Sequence, residues 1–84
     1  VYPNPFTGNS TFSYTLQQSM DVKIDVVDVH GSLIKQLYTG YAPAGVNQTV
    51  WNGTNQSKAP VAAGIYMYRL QTGKHVKYCK VVKQ

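Results

Sequence analysis

Acids are scarce in this sequence: there is no glutamate, and the only carboxylate side chains are Asp21, Asp25 and Asp28. Three aspartates crowded into one stretch make poor opposed carboxylates for glycoside hydrolysis, and they read better as a solvated strand face, with Asp21 and Asp25 on it. Cysteine is scarcer still. Cys79 stands alone, which excludes an intramolecular disulfide, a redox pair and a cysteine-rich metal site. An apolar run of about 18 residues is missing, and so is a basic leader ahead of an apolar core, so no membrane span and no signal peptide is expected. The chain opens at Val1 without an initiator methionine, and residues 1–84 are expected to be one domain of a longer protein.

What is present is aromatic and β-branched. Hydrophobic residues make up 43% of the 84, with seven Tyr, two Phe and one Trp, enough for a single thin core. At the usual range per residue, such a domain is stable by roughly 4 to 13 kcal/mol, so the loss of one large anchor is serious.

The net charge of +5 owes as much to missing acids as to clustered bases. Half the bases sit late, at Lys74, Lys77, Lys80 and Lys83. On a strand, a spacing of three throws them alternately to opposite faces, which does not make a focused nucleic-acid patch. Edge protection of a terminal strand accounts for them, and an anionic partner such as a membrane glycolipid or a protein is the alternative.

Strand patterning runs through the whole chain. Two prolines at alternate positions, Pro3 and Pro5, suit an extended edge segment over Val1 to Phe6. Ser10 to Leu16 alternates, with Phe12, Tyr14 and Leu16 facing in. Asp21 to Val29 places Val22, Ile24 and Val26 inward and Lys23 and Asp25 outward, until Val27-Asp28-Val29 breaks the phase and predicts a bulge or strand end. Asp28 to Gly31 predicts a tight turn, with Gly31 at positive φ. Leu33 to Tyr38 is the next strand, Thr39 to Gly45 a crossover, and Val46 to Trp51 a strand ending on the largest apolar anchor. Gly64 to Leu70 is the central strand, presenting Tyr66, Tyr68 and Leu70 on one face and Ile65, Met67 and Arg69 on the other. Thr72-Gly73 then turns the chain into a last strand, Lys74 to Lys83. About seven short strands at this spacing, without helical periodicity, predict an all-β fold: a small immunoglobulin-like or fibronectin-like antiparallel β-sandwich.

Chemistry-bearing constellations are few, and each has a plainer account. Asp28, His30 and Ser32 hold the residue types of a hydrolytic triad but lie in one predicted turn. Asn52-Gly53-Thr54-Asn55 resembles a calcium loop without any carboxylate, so no metal is expected. Cys79 and His75 share a strand face about 13 Å apart, too far for joint ligation, and Cys79 reads as a small buried hydrophobe. Asn9, Asn47, Asn52 and Asn55 all stand in N-x-Ser/Thr sequons, a pattern that turn chemistry also produces. Tyr66, Tyr68, Arg69 and Tyr78 offer a stacking platform only if they are exposed; core packing is the commoner use. No cofactor and no catalytic residue is expected.

Tyr2-Pro3-Asn4-Pro5, then Asp28-Val29-His30-Gly31, then Ala63-Gly64-Ile65-Tyr66 and a terminal Lys80-Val81-Val82-Lys83 form an ordered set spanning nearly the whole chain. This set resembles the type A C-terminal sorting domains of the type IX secretion system, and the related immunoglobulin-like domain of flagellar hook-capping proteins. The chain departs from the common pattern at Cys79, and at Asn52, where hook-cap relatives usually carry Asp. The resemblance implies a non-enzymatic role in export from a Gram-negative bacterium. In that role the domain is read by an outer-membrane translocon, and often removed by a sortase-like peptidase, on the way through periplasm and outer membrane to the cell surface or medium. By position, the matching residues are Pro3, Asn4 and Pro5 in the opening, Gly31 in the hairpin, Gly64 and Tyr66 in the central strand, and Lys80, Val81, Val82 and Lys83 in the tail. Recognition is expected on the last strand, at Lys77 and these four. A structural or accessory immunoglobulin-like module of a surface protein, self-associating through its edge strands, is the alternative.

Overall fold

The computed structural model describes residues 1–84. Six strands form: β1 (Ser10–Leu16), β2 (Met20–Asp28), β3 (Leu33–Ala42), β4 (Gly45–Trp51), β5 (Gly64–Thr72) and β6 (His75–Lys83). β1 pairs with β4, and the other four form a sheet in the order β3-β2-β5-β6, with every ladder antiparallel. The result is the expected immunoglobulin-like sandwich, with six strands where about seven were predicted. Val1 to Phe6 is the difference. Its prolines have no N–H to give a ladder, so it touches its neighbours through single bridges, Tyr2 to Thr11 and Phe6 to Lys83. The Tyr2–Pro3 and Asn4–Pro5 peptide bonds are cis.

Between the sheets, period-two alternation does what the sequence predicts. Phe12, Tyr14 and Leu16 of β1 close over Val22, Ile24 and Val26 of β2 and Tyr66, Tyr68 and Leu70 of β5. Trp51, fully buried, is the hub: its ring centroid lies 5.4 Å from Phe6, 5.3 Å from Tyr66 and 6.4 Å from Tyr68. Its indole N–H donates to the Thr54 carbonyl at 2.8 Å, so the one polar atom of the side chain is satisfied.

The structure corrects two expectations and sharpens a third. Asp25 does not face solvent; it is completely buried, because β2 is an interior strand flanked by β3 and β5 and an arginine is supplied from β5. The phase break expected at Val27 to Val29 is there as the end of β2, with a further irregularity upstream of it. Register shifts against β3 lie between Ile24 and Asp25 and between Val26 and Val27, and the strand ends at Asp28. The crossover is also shorter than Thr39–Gly45, since β3 continues to Ala42. Backbone pairing with Met20 to Lys23 of β2 carries the strand through Gly40, overriding that residue's weak strand preference.

The β2–β3 turn forms as read. Asp28 accepts the N–H groups of His30 and Ser32 on one carboxylate oxygen, each at 2.9 Å, and Gly31 has φ of +83°. A side chain added at Gly31 meets nothing within 4 Å, so the cost of substitution is conformational rather than steric contact. Gly31→Val is expected to destabilise by about 1–2 kcal/mol, because a β-branched residue resists positive φ. A midpoint in urea indistinguishable from that of the unaltered domain would contradict this account.

Candidate functional site

β6 is the outer strand of the larger sheet, and the opening segment fastens onto its free edge. Asn4 acts there as a piece of backbone. Its side-chain amide donates to the Lys80 carbonyl at 3.2 Å, and its oxygen accepts the Val82 N–H at 2.9 Å. Phe6 then donates its N–H to the Val82 carbonyl at 3.0 Å and accepts the Gln84 N–H at 2.9 Å, while its ring drops into the core beside Trp51. Pro3 and Pro5 flank Asn4 without competing for these partners, having no amide hydrogen of their own. The opening motif and the tail motif, 76 residues apart, are therefore one structural unit.

Pairing with β5 assigns each tail residue to a face. Lys77 stands opposite Leu70 and is exposed at the rim of the inter-sheet space; Lys80 stands opposite Met67 on the outer face and is also exposed. Val81 stands opposite Tyr66 and is buried in the core. Val82, opposite Ile65, is half-buried. Lys83 bends back over Gly53 to donate to the Val61 carbonyl, and a Cβ at Gly53 would sit 2.9 Å from its Cε. Of the five tail residues, only Lys77 and Lys80 present a free cation. Gly64 and Tyr66 begin β5, and the Tyr66 hydroxyl donates to the Ala62 carbonyl at 2.7 Å.

The remaining constellations are absorbed by local structure. Asp28, His30 and Ser32 meet in the turn through backbone amides. Asn55 accepts the N–H groups of Ser57 and Ala59, Asn52 accepts the Thr54 hydroxyl, and the Asn47 amide donates to the Pro43 and Gly45 carbonyls. Tyr66 and Tyr68 are buried whereas Tyr78 is exposed, so the aromatic platform is not assembled. Cys79 is half-buried against the core.

Two residue sets escape sequence reasoning. Asp25 and Arg69 form an ion pair at 2.8 Å, with the aspartate side chain fully buried and the arginine 22% exposed. The hydrogen bond to Asp25 holds the guanidinium above its ordinary pKa, against the opposing effect of burial. Asp25 and Arg69 are directly opposite in the β2–β5 register, a signal legible only once those strands are known to be neighbours. Phe6 is the other. Flanked by proline and a turn, it carries no alternation to mark it as core.

These features define an immunoglobulin-like sandwich whose first residues clamp its last strand. The chain belongs to the FlgD Ig-like domain family, whose match covers residues 4–75. Among solved structures it is similar to FlgD from P. aeruginosa, with a TM-score of 0.70 and 24% identity over 88% of this chain and 58% of that one. It is similar also to FlgD from Xanthomonas campestris, a protein described in terms of the hook capping essential for flagellar assembly, with a TM-score of 0.68 and 25% identity over 94% and 58%. The dimeric latent PorU from Porphyromonas gingivalis shares the fold, with a TM-score of 0.76 and 17% identity over 98% of this chain and 9% of that one. The chain thus spans 58% of either FlgD. No curated protein matches the sequence significantly.

Proposed function

We propose that this domain is a sorting module, non-catalytic and attached to a cargo polypeptide, that an outer-membrane translocon reads to bring the cargo to the cell surface. The observation that carries this reading is the unit formed by the two ends of the motif set. Asn4 and Phe6 fix the free edge of β6, Val81 anchors that strand in the core, and Lys77 and Lys80 are left projecting from it. A strand held in this way fixes the backbone positions of both lysines in advance, leaving only their side chains to be ordered, which favours recognition by a partner. A sortase-like peptidase acting after export belongs to the same reading.

Fusion tests it. Residues 1–84 appended to an inert periplasmic protein, in a bacterium equipped with the type IX translocon, should bring that protein to the surface. Retention of a folded fusion in the periplasm would leave the domain as a structural module instead. Within that assay, Lys77→Gln with Lys80→Gln removes the two free cations and is expected to change stability by under about 1 kcal/mol in total. Surface delivery should fall at least several-fold; delivery at the unaltered level by a folded double variant would exclude these lysines as the recognised feature. Lys83 is left in place because its contact with Val61 is structural.

A further inference from the structure

One edge of the sandwich is left bare. β4 pairs with β1 alone, in an unbroken register from Gly45 to Trp51, and its other side carries no strand. Thr11 exchanges both its backbone bonds with Tyr2, on the side of β1 away from β4, so Thr11 and Val50 stand opposite without bonding one another. Alternation along an antiparallel ladder then turns the N–H and C=O groups of Val46, Gln48 and Val50 outward. No turn or loop bond takes them up.

Outer strands are normally guarded by lysine, proline, a bulge or a covering loop. The larger sheet follows that rule: Gln56 bonds to Ile34 and Gln36 along β3, whose register against β2 is twice shifted, and Asn4 and Phe6 cover the end of β6. β4 has no such guard. Neither it nor β1 contains a charged residue or a proline, and Val46 and Val50 stand 73% and 53% exposed on either side of Gln48. This edge is built from the middle of the chain, and β1 separates it from the opening segment.

We propose that β4 is the contact through which two copies of this domain associate, antiparallel about a two-fold axis at Gln48, joining their small sheets into one of order β1-β4-β4-β1. The strand is complementary to its own reverse. Val46 of one copy faces Val50 of the other and Gln48 faces Gln48, the one register in which all three outward residues of both copies pair, each pair exchanging both backbone bonds. Valines then meet across the strands, and the facing amides donate to and accept from each other. The net charge of +5 does not oppose this, because every charged side chain lies outside β1 and β4. Such a contact is closed, since it uses up both β4 edges and leaves none for a third copy. Strands this short bury little area, so the dimer is weak and forms only at high concentration. It does not depend on what reads the tail.

Sedimentation equilibrium of the 84-residue chain from micromolar to millimolar concentration should show the mass rising from one copy towards two and no further. Over the same range, the amides of Val46, Gln48 and Val50 should gain protection from hydrogen exchange, whereas those of Asn47 and Thr49, turned towards β1, should not change. Gln48→Lys sets like charges against each other at the axis and should weaken association at least tenfold at low salt, and Gln48→Glu should do the same. Mixing the two folded variants should restore it, because opposite charges then face one another. A mass that stays at one copy at millimolar protein overturns the proposal, as does one that climbs past two, or protection confined to other strands. So does a mixture no stronger than its components, which would remove residue 48 from the axis. Fused at its amino end to an inert monomeric protein, the domain should dimerise as before; loss of the dimer there would mean that chain ahead of Val1 covers the edge, and would also overturn it.

Discussion

Trp51→Ala should remove about 3–5 kcal/mol of stability, the largest loss expected from any single truncation in the core. The indole touches three aromatic rings from two separate parts of the chain, Phe6 of the opening segment and Tyr66 and Tyr68 of β5, and its N–H binds the loop at Thr54. Alanine leaves a void that rings held in the two sheets fill only in part, and it removes the donor from the part-buried Thr54 carbonyl as well. Against a total of roughly 4–13 kcal/mol for a domain of this length, such a loss leaves the variant marginal or unfolded at 25 °C. Urea titration followed by far-ultraviolet circular dichroism measures it, and a loss below 1 kcal/mol would mean that the indole is not the hub of the core.

Arg69→Met is expected to cost a comparable amount, about 3–5 kcal/mol, for an electrostatic reason. It strands Asp25, which has no solvent exposure and only this one salt-bridge partner. One of the two aspartate oxygens already lacks a hydrogen bond, so nothing nearby compensates. Adding Asp25→Leu to Arg69→Met should restore most of the loss, because an apolar pair of similar volume carries no desolvation penalty. The four corners of this double-mutant cycle, each measured by urea unfolding, separate the pair's coupling from the contribution of either residue. A double variant as unstable as Arg69→Met alone would show that Asp25 is retained for a contact other than its ion pair.

How much of this was readable beforehand depends on the range of the interaction. β1 and β5 are legible because one face of each is buried, and alternation records that directly in Phe12, Tyr14, Tyr66 and Tyr68. The turn at Gly31 is legible because its chemistry is local to four residues. Asp25 is not: a charge between Ile24 and Val26 looks like a solvent-facing position until the neighbour 44 residues away is known to be an arginine. The tail lysines divide for the same reason. Nothing in their even spacing distinguishes Lys83, pinned to Val61 from above Gly53, from Lys77 and Lys80, which are free.

The clamp between Asn4, Phe6 and residues 80–84 also bears on how the chain comes to be folded. A polypeptide made from its amino end exposes the opening segment first and its partners last, so Phe6 waits through some 76 residues of synthesis before Val82 exists to receive its amide. Contacts of such long sequence separation slow folding, since the loop must close before any interaction rewards it. The sandwich therefore closes only after the final strand is complete, and a nascent chain stopped short of β6 still holds its sheets open at the seam. Synthesis of β6 and closure of the seam are thereby coupled.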